Sequence, residues 1–158
     1  MPKSKHLLHR AVGRVYNLRK IYKRLNGVYF GGEVKARVEW GRARGQKARR
    51  SREFGSYYYK ERLIRVHPVL DQAWVPLHVI ESVLYHEMCH QICPTEIIKG
   101  RRHSHTKDFR RREREYVHYQ GAENWMQANL QQLMRAAPAL EMVTERKATE
   151  QLKLGFAA

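Results

Sequence analysis

The chain is short of cysteine, of acidic residues and of long apolar runs, and each shortage narrows the class of protein. Its 158 residues include only two cysteines, Cys89 and Cys93, which is typical of a reducing compartment and of buried structural thiols. No stretch reaches the roughly 18 apolar residues that a membrane-spanning helix needs. Residues 1–10 also lack the apolar core of a secretory signal. We therefore expect a cytoplasmic protein that does not enter a membrane.

Acidic residues number 15 against 31 lysines and arginines, which gives a formal net charge of +16. The excess is uneven, because residues 1–52 carry a net charge of +14, residues 53–98 carry −3, residues 99–118 carry +5, and the remainder is neutral. Such a balance favours polyanionic partners, and nucleic acid is the commonest of them. Solubility alone is the other interpretation of this charge.

Hydrophobic periodicity predicts an α+β fold in one domain over residues 1–137, followed by a weakly structured tail over 138–158. Alternating apolar residues predict three short strands, which we expect to form a small antiparallel sheet. Pro76 and Pro94 bound a helical pattern that is apolar around most of its circumference, so this helix should be buried. The predicted elements are a helix over 6–25, strands over 34–40, 54–59 and 63–66, a helix from Leu77 to Ile92, a loop over 94–104, and helices over 106–119 and 123–137.

The most informative stretch is His86-Glu87-Met88-Cys89-His90, which has the pattern HExxH. Positions i and i+4 of a helix lie on one face, so His86 and His90 can bind the same metal ion. Zinc accepts neutral imidazole ligands and keeps one position for water, whose proton Glu87 can take as a general base. Burial of two histidines without a partner would be costly, which favours a metal over incidental histidines.

A third ligand is expected from the segment after this helix. His103 and His105 compete for one coordination position, and His105 has the better-defined place because it begins a helical pattern with Phe109 four residues later. The other common arrangement takes a glutamate from a following helix, and Glu113 or Glu115 would then serve. We expect one zinc ion per chain.

These motifs resemble the SprT-like/Spartan family of zinc metalloproteases. The likeness covers about residues 15–119 and rests on HExxH, on a histidine 15 residues after the second ligand with an aromatic at +4, and on three further segments: Leu25–Gly32, Trp40 and Ile64–Val66. Many relatives also carry a cysteine-rich zinc ribbon. The two cysteines of this chain cannot form a four-cysteine ribbon, so its role in relatives does not transfer here.

The resemblance implies a zincin-like fold, with His86, His90 and His105 as zinc ligands and Glu87 as the catalytic base. It also implies a zinc endopeptidase that acts on DNA-associated or DNA-crosslinked proteins, since relatives degrade proteins crosslinked to DNA. The alternative is a nucleic-acid-binding protein whose zinc site is structural or inactive. Glu87 favours the enzyme, because a structural site needs no base beside its ligands.

Two further sets of residues are predicted to take part. The loop after Trp40 is rich in basic residues and has no acidic one, so we expect it to contact DNA. A donor to the developing oxyanion is expected among Tyr116, His118 and Tyr119, and the sequence leaves these three open. Partners are thus protein substrates and DNA, a monomer is favoured, and DNA binding is compatible with a place at the nucleoid. The predicted DNA contacts are Arg42, Arg44, Lys47, Arg49, Arg50 and Arg52.

Overall fold

The computed structural model of the chain describes residues 10–41 and 54–136, and it confirms the predicted α+β class. The predicted tail over 138–158 lies outside these residues. None of the described helices is long and apolar enough to cross a membrane. In chain order the elements are α1 (Leu18–Phe30), β1 (Arg37–Trp40), β2 (Gly55–Tyr58), β3 (Leu63–Val66), a short 3-10 helix (Pro68–Leu70), α2 (Leu77–Ile92), β4 (Glu96–Ile98), β5 (Arg101–His103), α3 (Lys107–Glu113) and α4 (119–136).

The three-stranded sheet is mixed, so the prediction of a fully antiparallel sheet was wrong. β3 lies in the centre, where Ile64 stands opposite Tyr57 of antiparallel β2 and opposite Val38 of parallel β1. Alternation of apolar and polar residues indicates which face of a strand is buried, but it carries no information on strand direction. Direction depends on where the chain re-enters the sheet after residue 41, and it re-enters at the edge opposite to β1.

α1 begins and ends later than the helix predicted over 6–25, of which residues 6–9 lie outside the described residues. The side chain of Asn17 caps its first turn by accepting a hydrogen bond from the backbone N–H of Lys20 at 3.2 Å. Gly31 ends the helix in the left-handed conformation, with φ at 56°. Asn26 and Gly27 do not interrupt it, because the side chain of Asn26 instead bonds to the backbone of Val34.

The segment before α1 is held by a carboxylate from a distant part of the chain. Asp71 accepts hydrogen bonds from the backbone N–H groups of Arg14, Val15 and Tyr16 at 2.5, 2.9 and 2.9 Å. A Cβ at Gly13 would collide with the same carboxylate. Residues 13–16 are therefore not helical. The cause is a contact with a distant residue, and the periodicity of the sequence contains no information on such contacts.

α2 has the predicted bounds and forms the centre of the core. Its residues Ile80, Leu84 and Met88 are fully buried, and the helix contacts β2, β3, α1 and α3. This packing fixes the position of α2 from several sides. The side chains near its C-terminal end are consequently held in place by the whole fold.

The chain after α2 differs from the prediction. Residues 96–103 form an antiparallel hairpin in place of the predicted loop, with Ile97 opposite Arg102. Lys99 and Gly100 at its turn both have positive φ, as a two-residue type I′ turn requires. The helix predicted over 106–119 ends at Glu113, and α4 begins at residue 119 rather than 123.

Candidate metal centre

The C-terminal half of α2 and the start of α3 bring three histidines together. His86 and His90 lie one turn apart on α2, and His105 lies two residues before α3. Their possible ligand atoms all lie within 4.8 Å of one another, and Nε2 of His86 is 3.2 Å from Nε2 of His105. The three side chains are therefore positioned to bind one metal ion. His103, on β5, does not belong to this group.

Phe109 packs beneath all three rings. It is fully buried, and its ring centroid lies 5.0 Å from that of His86, 4.7 Å from that of His90 and 4.8 Å from that of His105. The hydroxyl of Thr106 accepts a hydrogen bond from the backbone N–H of Phe109 at 3.2 Å and so caps α3. The aromatic ring of Phe109, one helical turn after His105, thus packs against the histidine group.

Two side chains contact the α2 histidines on the ring nitrogen remote from the group. Oε1 of Glu113 lies 2.5 Å from Nδ1 of His86, and the hydroxyl of Tyr59 lies 3.4 Å from Nδ1 of His90. Such partners fix the tautomer of a histidine and leave Nε2 for a metal. Glu113, one of the alternative ligands, therefore lies behind His86, and Glu115 forms a salt bridge with an arginine of α3.

The charges around the group suit a cation. Burial, and after it the neighbouring His86 and His105, together lower the pKa of His90 to about 4, so His90 is neutral at physiological pH. Burial also works against charge on His86, but the hydrogen bond to Glu113 and the charge of Glu87 raise the pKa of His86 above its ordinary value. The group therefore combines a neutral nitrogen donor, His90, with a carboxylate, Glu113, that can balance the charge of a metal ion.

Glu87 lies beside the histidines with 5% of its surface exposed. Gly55, the first residue of β2, makes room for it, because a Cβ there would lie 2.6 Å from Oε1 of Glu87 and 2.8 Å from a methyl carbon of Val83. Sequence analysis did not identify Gly55. A glycine at the start of a strand pattern is the signal that could have indicated such a close approach.

His86, Glu87 and His105 border a cleft of about 630 Å³ between α2 and α4. Each helix contributes residues spaced three and four apart, so each presents a single face to the cleft. The start of β2 and the polar side chains of Arg110 and Glu113 complete the lining. The lining residues of α2 are Val79, Ser82, Val83, His86 and Glu87, and those of α4 are Tyr119, Ala122, Glu123, Met126, Gln127 and Leu130.

The three residues proposed near the oxyanion have different surroundings. The hydroxyl of Tyr116 donates a hydrogen bond to Oε2 of Glu81 at 2.6 Å and is buried in the core. The ring of His118 lies 6.0 Å from that of His78. Tyr119 borders the cleft together with His86 and His105. Of the three, Tyr119 is therefore the one beside the candidate metal centre.

Two other predictions concern residues away from the histidine group. Cys89 is buried and Cys93 partly buried, and burial raises the pKa of both thiols, as the predicted structural role would require. Neither belongs to the three-histidine group. The six predicted DNA contacts lie outside the described residues: Arg42, Arg44, Lys47, Arg49, Arg50 and Arg52.

Comparison with known proteins bears on this centre. The sequence model of the SprT-like family matches residues 18–131, a range that contains the three histidines, Glu87 and every residue that lines the cleft. No curated protein and no solved structure matches the chain. The family match spans well over half of the 158 residues.

Proposed function

Because the chain belongs to the SprT-like family, we propose that it is a zinc-dependent endopeptidase. The observation that carries this proposal is that three histidines converge and that two of them, His86 and His105, border one open cleft with the buried Glu87. A structural metal site is closed and needs no carboxylate beside its ligands. The proposal assigns the metal to His86, His90 and His105, and proton transfer to Glu87.

The donor set fits zinc. Zinc–nitrogen bonds of about 2.0–2.1 Å at tetrahedral angles place two ligand nitrogens roughly 3.3 Å apart. The two Nε2 atoms of His86 and His105 are 3.2 Å apart. Three protein ligands also leave one position for water, as in catalytic zinc sites. When bound, zinc supplies Lewis acidity, which lowers the pKa of water at that position from about 15.7 to about 7.

Glu87 is the residue that moves the proton in this proposal. Its carboxylate accepts a proton from the attacking water and then gives that proton to the nitrogen of the leaving amine. The close contact with Gly55 limits where this carboxylate can lie. Tyr119 borders the same cleft, so its phenolic O–H is our choice of donor to the developing oxyanion.

The sheet offers a place for the substrate backbone. Among the described residues β2 pairs only with β3, so no described strand covers its other edge. β2 begins at Gly55, which contacts Glu87. An extended polypeptide that pairs with this edge would pass beside Glu87 and the histidines, and main-chain hydrogen bonds of this kind bind peptides with little dependence on sequence.

We extend the proposal to substrates that are bound or crosslinked to DNA, in the cytoplasm. Support comes from the net charge of +16 and from exposed cations on the β4–β5 hairpin, which ends two residues before His105. Lys99, Arg101 and Arg102 are exposed on the β4–β5 hairpin and form no salt bridge with another described residue. A protein held on the same DNA gains effective concentration, so weak affinity for the peptide itself would suffice.

The test compares wild type with Glu87→Gln, an isosteric change that removes the base. Both proteins should contain one zinc ion per chain, whereas the variant should cleave a quenched fluorescent peptide, and itself, about 10²–10⁴-fold more slowly. DNA should accelerate cleavage of a DNA-binding protein by wild type but not cleavage of the free peptide. Equal digestion by both proteins would indicate a contaminating protease or another mechanism. Zinc and DNA binding without any cleavage would favour a nucleic-acid-binding protein with an inactive metal site.

A further inference from the structure

We propose that the groove between α2 and α4, formed by Val79, Val83, Met126 and Leu130, binds a large apolar side chain of the polypeptide substrate next to the cleaved bond. We call these four residues the apolar groove. The inference rests on the proposed endopeptidase function and adds a substrate preference to it.

The apolar groove is continuous with the metal centre. At a rise of 1.5 Å per residue, Val83 and Val79 lie about 4.5 and 10.5 Å along the axis of α2 from His86. On α4, Tyr119 lies at the metal end of the cleft and Leu130 at the other end. The large apolar lining residues of both helices thus lie on the side of the cleft away from the histidines, where Ser82 and Gln127 are the polar neighbours.

Part of the apolar groove remains accessible to solvent. Val79 is fully buried, but Val83, Met126 and Leu130 are only partly buried. The sequence predicted that the apolar stripe of α4 belongs to the core, which holds for the fully buried Leu133. Met126 and Leu130 also pack against the core, but they are only partly buried and border the cleft, so part of their apolar surface is available to a ligand.

The groove is held in shape by contacts outside it. Trp125 of α4 packs against Trp74, which precedes α2, with ring centroids 5.7 Å apart. Leu133 anchors the same helix in the core. Trp125 and Leu133 do not line the cleft, so their contacts hold α4 in position whether or not a ligand occupies the groove. A preformed groove favours binding, since little ordering is needed.

The occupant is identified by what lies at the metal end. If a polypeptide places one side chain in the apolar groove, the peptide bond next to that residue lies at His86 and Glu87. This is the bond that the proposed endopeptidase would cleave. Pockets of this kind discriminate by size, and one methylene typically changes kcat/KM by 10–200-fold. Met126 is unbranched and adaptable, so we expect a preference for large apolar side chains as a class.

The test uses quenched peptides that differ only in the residue on either side of the cleaved bond, which is Leu, Phe, Ala, Asp or Lys. At one of the two positions, Leu and Phe should raise kcat/KM at least about tenfold over Ala. Leu130→Glu should lower cleavage of the Leu and Phe peptides and raise that of the Lys peptide. Ala128→Glu adds the same charge to an exposed position of α4 outside the cleft and should leave the preference unchanged.

Met126→Ala is a second variant, for the case that Leu130→Glu does not fold, and it should weaken the preference for Leu and Phe while zinc content stays the same. Equal cleavage of all peptides by wild type would overturn the inference. So would an equal loss on every peptide in a folded, zinc-containing Leu130→Glu. A dimer of wild type that Leu130→Glu abolishes, without any change in preference, would assign the groove to a second copy of the chain.

Binding to zinc-loaded Glu87→Gln separates this inference from the proposed function. Fluorescence anisotropy with the same peptides should give tighter binding of the Leu and Phe peptides, and adding Leu130→Glu should remove the difference. If this holds while wild type cleaves nothing, the groove is supported and the endopeptidase proposal fails. If wild type cleaves but Glu87→Gln binds all peptides equally, the groove is overturned alone.

Discussion

Two glutamates of α2 are almost equally buried, with 4% and 5% of their surfaces exposed, but they have different surroundings. Glu81 forms a salt bridge with Arg24 of α1 and accepts a hydrogen bond from Tyr116 at 2.6 Å. Glu87, six residues later, borders the cleft beside Gly55 and the histidine group. The two carboxylates are therefore alike in burial and differ in their neighbours, and the neighbours of Glu87 suit the catalytic role that we propose for it.

The difference follows the two halves of α2. Around Glu81 the helix is enclosed by α1 and by residue 116, so charge is balanced within the core. Around Glu87 the helix faces a cleft, which His86 and His105 also border. Buried ionisable groups that border a cleft are favoured positions for proton transfer.

The largest effect is expected when one of the three histidines beside Glu87 is removed. His86→Ala, His90→Ala and His105→Ala should each reduce bound zinc from one ion per chain towards none, because three ligands are the minimum for such a site. His103→Ala, on the exposed strand β5, should keep full zinc. Elemental analysis of the four purified variants measures this. Full zinc in His105→Ala would make the ligand assignment wrong.

The second prediction compares the same substitution at the two glutamates. Glu87→Gln should lower peptide cleavage by about 10²–10⁴-fold with little change in the free energy of unfolding. Glu81→Gln should instead destabilise the fold by about 1–3 kcal/mol, since it weakens hydrogen bonds to a buried acid, and should leave cleavage per folded molecule unchanged. Thermal unfolding and peptide cleavage of both variants provide the measurement. The opposite pattern would reverse the two assignments.

The third prediction concerns a substitution at a neighbouring residue that displaces the side chain of Glu87. Gly55→Ala places a Cβ within 2.6 Å of its carboxylate oxygen, so the side chain must shift. A displacement of this size should lower kcat by about 10²-fold while zinc content is retained. Gly121→Ala is the control, because a Cβ there meets nothing within 4 Å. Wild-type kcat in Gly55→Ala would mean that the position of Glu87 is not critical.

The fourth prediction concerns the carboxylate behind His86. Glu113→Gln should weaken zinc binding by about 10–100-fold, because partners of this kind orient a ligand ring and raise its basicity. Glu115→Gln, on the same short segment but in a surface salt bridge, should leave zinc affinity unchanged. Competition with a chromophoric chelator gives both affinities. Equal affinities would leave the contact between Glu113 and His86 without a role in metal binding.

The smallest effect on the metal centre is expected from the basic segment after Trp40, which the sequence predicts to be a loop and which lies outside the described residues. Replacement of its six basic residues by Ser should flatten the salt dependence of DNA binding, whose slope changes by about 0.9 per phosphate neutralised, and leave zinc untouched. Anisotropy with labelled oligonucleotides at several salt concentrations measures it. The matched variant replaces Lys99, Arg101 and Arg102 on the β4–β5 hairpin. If the six-residue variant shows the salt dependence of wild type, the DNA contact is instead on the hairpin or the first helix.

The local parts of the fold and the site were predictable. The bounds of α2 followed from Pro76, Pro94 and an apolar circumference, and the spacing of HExxH placed His86 and His90 on one face. The turn of helix from His105 to Phe109 likewise indicated the third histidine. Each of these depends on residues a few positions apart, where helix geometry alone fixes the relation.

The sequence by itself thus determined which residues converge along the helices: two histidines, a glutamate between them and a third histidine one segment later. Only the tertiary structure decided that β1 runs parallel to β3, that Glu113 lies behind His86, and that Gly55 lies against Glu87. The physical reason is distance along the chain. Contacts between residues tens of positions apart depend on how whole elements pack, and periodicity does not encode the direction or partner of an element.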